Sequence, residues 1–188
     1  MNLFALAPLA AAMILAVAWD FSKQKIPNLI TFPLMLYGLV FHAVTSGLSG
    51  FGTSFIGILA GIGIFIIPYI LGGMGAGDAK LMGGAGAIIG AKGAIIAGLF
   101  SILIGLLYAI LLLVFYSKYG IAFLKNSGTA IKTFFFTRQW IYIPPESEEK
   151  RPTLCYALPI ALGTLLYIYL KATGSTLIQD LLGIRFSL

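Results

Sequence analysis

Six acidic residues occur in the 188-residue chain, and only Asp20 and Asp78 fall where an apolar segment ends or begins. Glu146, Glu148 and Glu149 stand together in a polar run, and Asp180 lies near the C-terminus. Two carboxylates side by side at a hydrocarbon boundary do not readily both ionise, so such a pair holds one shared proton. Peptide hydrolysis needs that state. The ionised partner takes a proton from an attacking water, and the protonated partner supplies one to the developing oxyanion or the leaving amine. No metal or covalent intermediate enters this chemistry. The glycines before Asp78, Gly72-Gly73-Met74-Gly75-Ala76-Gly77, permit a bend and the close approach of an extended backbone.

For the two acids to meet, the elements between them must return the chain to the face it left. The apolar runs at residues 3–19, 29–46, 53–71, 79–91, 94–117 and 153–172 predict an all-α, polytopic membrane protein of about six transmembrane helices. Asp20 ends the first run and Asp78 opens the fourth. Two complete crossings separate them, which puts both carboxylates on one face at similar depth. The fourth run is short and holds Gly83, Gly84, Gly86 and Gly90, small residues that suit burial among other helices. Each acid also has a plainer reading. Asp78 is a favoured N-cap type at a helix start, and Asp20 stands near Lys23 and Lys25 at the interface.

Composition agrees with a bilayer as the main solvent. Hydrophobic residues make up 60% of the chain and charged residues 10%, with a mean hydropathy of +1.01. At roughly 20 residues per crossing, this length leaves little for a soluble domain, and one transmembrane domain over 1–188 is expected. The net charge of +6 comes mainly from basic residues between apolar runs, where topology and anionic lipid account for it without nucleic acid. Lys23, Lys25, Lys80, Lys118, Lys125, Lys132, Arg138, Lys150 and Arg151 fall on one side of a six-helix arrangement; Lys92, Lys171 and Arg185 fall on the other. The first side is therefore cytoplasmic, both termini lie outside, and the aspartates face the cytoplasm.

Residues 118–152 form the longest connection, a cytoplasmic or interfacial loop that mixes cations with Phe134, Phe135, Phe136, Trp140 and Tyr142. It is either a solvated loop or a flank that admits or covers a substrate. Residues 1–18 are apolar with a small-residue Ala16-Val17-Ala18 stretch, but no cation precedes them as a secretory signal requires. The single Cys155 excludes an internal disulfide, and no Cys or His cluster offers a metal site, so neither metal nor cofactor is expected. Cys155 reads as a helix-packing residue and His42 as a packed or hydrogen-bonded one. The glycine run lacks the spacing of a dinucleotide or phosphate loop.

Gly75-Ala76-Gly77-Asp78-Ala79-Lys80-Leu81 resembles the GxGD-x-K-L motif of prepilin peptidases, the membrane aspartic proteases that trim type IV pilins and related proteins. Asp20 followed by Ile26-Pro27-Asn28 and Thr31 resembles that family's first motif, and Pro159, Ala161 and Gly163 fit its looser C-terminal pattern. The resemblance implies an intramembrane aspartic endopeptidase with Asp20 and Asp78 as the catalytic pair and Gly75 and Gly77 shaping the backbone beside them. Lys80 either biases which aspartate ionises or is an ordinary interfacial lysine. Asn28 and Thr31 are either donors to Asp20 or polar residues that start the second helix. The implied substrate is a prepilin or pseudopilin held in the membrane, whose basic leader is removed at the cytoplasmic face of the inner membrane.

Many bacterial relatives carry an added cytoplasmic domain with paired Cys-x-x-Cys zinc sites and also N-methylate the trimmed pilin. This chain has neither those cysteines nor room for that domain, so it resembles the short branch of tight-adherence (Flp) or archaeal pilin systems, without methyltransferase activity. The presenilin-like group shares GxGD but pairs it with Tyr-Asp, whereas Trp19 precedes Asp20 here. The alternative function is a proton- or cation-coupled transporter using the same aspartates. Against it, both acids are expected at one face and not near the midplane, and the halves show no matching repeat. A noncatalytic scaffold would leave the two aspartates unexplained.

Overall fold

The computed structural model describes residues 3–115 and 154–173, and among them it is helical apart from short connections, with no strand. The helices are α1 (Leu3–Lys23), α2 (Asn28–Ile70), α3 (Ala76–Phe115) and α4 (Ala157–Ala172). The expected loop 118–152 and the tail with Asp180 and Arg185 lie outside the described residues. So do most of the cations on which the orientation argument rests. Met1–Gly105 with Cys155–Leu188 form one unit and Leu106–Leu154 another; all packing below is within the first.

The six apolar runs become four helices because two expected connections are themselves helical. A straight helix of 43 residues, the length of α2, would run about 65 Å, roughly twice the hydrocarbon thickness of a bilayer. It is not straight. Gly47 stands at φ 64°, ψ −147° and breaks α2; Gly90 stands at φ 77°, ψ 172° and breaks α3. Both conformations are available essentially to glycine alone, so the chain turns inside α2 and α3 with no loop of its own. α1, α2 and α3 are long and apolar enough to cross a membrane; α4 is a shorter apolar helix.

A break in a buried helix strands backbone carbonyls, and each one left without a donor in an apolar interior is costly. At Gly90 two are satisfied from α2: Ser54 Oγ donates to Ala87 O at 2.7 Å, and His42 Nε2 lies 3.1 Å from Ile88 O. A carbonyl oxygen only accepts, so His42 serves there as a hydrogen-bond donor to the broken helix.

The first half of α3 is the centre of the unit, as its glycines predict. Every residue from Leu81 to Ile89 is buried. The halves of α2 press on it through small residues. A Cβ on Gly57 would meet the Gly86 carbonyl and one on Gly61 the Met82 carbonyl, while one on Gly38 would strike Ala87. Side-chain-free surfaces let these backbones approach and gain dispersion contacts that bulkier residues would forfeit. Large apolar side chains such as Phe4, Ile14, Val44, Leu59 and Leu103 point outward, as suits a protein solvated by lipid. An apolar groove of about 610 Å³ runs between α1 and α4, with Leu9, Met13 and Val17 on one wall and Ala161, Leu165 and Ile168 on the other.

Candidate active site

Three helix ends converge on the acidic residues: the last turn of α1, the first turn of α3 and the start of α4. Asp20 is 6% exposed and Asp78 8% exposed. Each lies within electrostatic reach of the other, and the Cys155 thiol lies within reach of both.

Asp78 is the third residue of α3. Its Oδ2 accepts the N–H of Gly75 at 3.0 Å, and its own N–H donates to Gly75 O at 3.1 Å. The side chain thus reaches back to satisfy the free donor of the residue before the helix, as the acidic residue of a capping box does. The plainer reading of Asp78, a carboxylate that satisfies a free N–H at a helix start, holds, with Asp78 at the third helical position and not at the N-cap itself. Gly75 is open on its side-chain face except for that carboxylate: a Cβ there would stand 3.2 Å from Asp78 Oδ2.

Asp20 is fixed from much farther along the chain. Its Oδ2 accepts the N–H of Ala157, the first residue of α4, at 3.2 Å. Its main-chain oxygen accepts the Gln24 N–H at 2.8 Å and lies 3.7 Å from the Cys155 sulfur. The Tyr156 ring, between these two residues, is wedged against Gly105 and meets Phe65 edge-on at 5.9 Å, which anchors the turn.

The remaining residues singled out by sequence hold the frame. Gly77 faces the connection after α1, where a Cβ would stand 3.0 Å from Ile26 Cβ and 3.1 Å from Ile26 O. Lys80 Nζ donates to Asn28 Oδ1 at 3.0 Å, so these two meet each other. Thr31 is fully buried and its hydroxyl lies 3.5 Å from Asn28 O, within its own helix turn. Sequence reasoning missed the start of α4. Pro159, Ala161 and Gly163 pointed to that helix, but the group that meets Asp20 is a backbone N–H, which no residue type announces. Among the described residues no group of His, Cys, Asp and Glu side chains is arranged to hold a metal ion.

A family model described as the type IV leader peptidase family matches residues 7–110, more than half of the chain, including both aspartates and the glycines between them. No curated protein and no solved structure matches the chain.

Proposed function

The chain belongs to the type IV leader peptidase family, and from that premise we propose that it is an aspartic endopeptidase whose catalytic pair is Asp20 and Asp78. It is a peptidase of the membrane, and its substrates are of the prepilin class. The observation that carries the aspartic assignment is the burial of two carboxylates, one at the end of α1 and one at the start of α3, with Asp20 near enough for its charge to act on Asp78. A water between them is activated by the ionised acid and attacks the scissile carbonyl, and the protonated acid then delivers its proton to the oxygen or the departing amine. Gly75 keeps a side chain away from the Asp78 carboxylate, and Gly77 lets the segment after α1 pack closely against the turn that carries it. The family match lends the transporter alternative no support.

Broken at Gly47 and Gly90, the four helices correspond on this reading to six crossings, with both termini outside and the acids at the cytoplasmic boundary of the inner membrane. There the basic leader of a type IV, Flp-type or pseudopilin precursor is cut from a hydrophobic segment that stays in the bilayer. The product is not methylated.

The test uses the purified protein in liposomes and a synthetic peptide spanning the leader junction of a type IV prepilin. Asp20→Asn and Asp78→Asn are each expected to lower cleavage by roughly 10³-fold or more, the scale of a lost general acid or base, with melting behaviour retained. Full cleavage by either variant refutes the assignment. EDTA is expected to leave the wild-type rate unchanged, and its inhibition of cleavage would point to a metal-dependent hydrolysis instead.

A further inference from the structure

Lys80 bridges two helices. Its ammonium donates to Asn28 Oδ1 at 3.0 Å and stands 5.3 Å from the centre of the Phe32 ring. Asn28 and Phe32 are four residues apart at the start of α2, so their side chains share one helical face. An amide oxygen and an aromatic face together receive the cation. Both partners are neutral, and among the described residues Lys80 has no acidic partner. Asp78, two positions earlier on α3, points to a different side of that helix. A lysine so placed acts through where it holds the backbone.

The held parts are informative. Asn28 begins α2 directly after the connection that leaves Asp20 and α1, and Lys80 sits in the turn of α3 that carries Asp78. The Gly77–Ile26 contact fastens the same two segments, with Ile26 buried. A lone hydrogen bond with exposed groups adds little to global stability. A bond that ties the segment after one acid to the turn of the other constrains the distance between them.

The geometry points to Lys80 and Asn28 as one positioning device, a strut between α3 and α2 that sets the separation of the Asp20 and Asp78 carboxylates. This rests on the reading of those acids as the catalytic pair. Neither strut residue touches the reacting atoms; both act through the backbone that carries them. Phe32 offers its ring to the ammonium as a second, neutral partner.

The test compares wild type, Lys80→Met, Asn28→Ala, the double variant and Lys80→Arg in liposomes, with steady-state cleavage of the same leader-junction peptide measured across pH. Each single change is expected to lower kcat roughly tenfold with KM little altered, since small misplacements of catalytic groups fall on the chemical step. The double variant should be no slower than either single one, because the residues form one interaction. Lys80→Arg, which keeps a donor, should restore most of the rate, and the limbs of the pH profile should not move. Multiplying losses in the double variant, wild-type rates in both single ones, or a pH limb displaced by Lys80→Met alone would each overturn the strut. Asp20→Asn is assayed alongside. If it is inactive while the strut variants behave independently, only the strut fails; if it is active, the catalytic reading fails and the strut with it.

Discussion

Asp78 and Asp20 each accept one backbone N–H, but the two donors stand at very different separations along the chain. Asp78 is held by Gly75, three residues away, and Asp20 by Ala157, 137 residues away. Helix polarity sharpens the contrast. Asp78 sits in the first turn of α3, the end where a negative charge is favoured, whereas Asp20 sits in the last turn of α1, the end where it is disfavoured. The N-terminus of α4 supplies Asp20 with the favourable end that its own helix denies it. Asp78 therefore carries its orientation with its helix, and Asp20 depends on how α4 is seated.

The largest effect expected from that difference comes from a residue remote from both acids. Gly163 lies in α4, where a Cβ would press on Ser101 N at 2.6 Å and Ala97 O at 2.8 Å. Backbone atoms of α3 cannot yield as a flexible side chain would, so Gly163→Ala must lift α4 and carry the Ala157 N–H away from Asp20. Cleavage is expected to fall about 100-fold, the scale of a misplaced catalytic group, with a lower melting temperature. Asp78 and its bond to Gly75 should persist. An unchanged kcat would break the comparison by showing that Asp20 keeps its orientation without α4.

Much of this was legible in residue order. The apolar runs at 29–46 and 53–71 correspond to the halves of α2 on either side of Gly47, and the runs at 79–91 and 94–117 to the halves of α3 on either side of Gly90. The apolar runs follow the helical segments regardless of how the turn between them is made. That the turns would be single glycines inside continuous helices was not legible, because a glycine in a helical pattern signals a break and close packing equally. The packing role of Gly83, Gly84 and Gly86 was readable from their density. At the site, the spacing of Asp20 and Asp78 through two runs pointed to a shared face, and the motif around each drew attention to Gly75, Gly77, Lys80 and Asn28. The partners of those residues were not readable. Asn28 reads as well as a donor to Asp20 as an acceptor for Lys80, since an amide offers both groups. Cys155 and Ala157 had nothing in sequence to tie them to Asp20; the match to the family ends at residue 110, before α4 begins.

A middle-sized effect probes the locally held acid. A methyl on Gly75 would stand 3.2 Å from Asp78 Oδ2, a crowding that a shift of a few tenths of an ångström relieves. Gly75→Ala is expected to slow cleavage roughly tenfold through that displacement, while leaving the melting temperature near wild type because no backbone is struck. The smallest effect tests how far the Asp20 side reaches. The Cys155 sulfur is a weak donor lying 3.7 Å from Asp20 O, and that oxygen already accepts the Gln24 N–H at 2.8 Å. Removing the thiol strands nothing, and the Ala157 N–H remains on the carboxylate. Cys155→Ala should therefore keep kcat within about threefold of wild type, less than the roughly 1 kcal/mol of an ordinary hydrogen bond. A loss as large as that of Gly163→Ala, with the protein still folded, would mean that the thiol and not the α4 backbone holds Asp20.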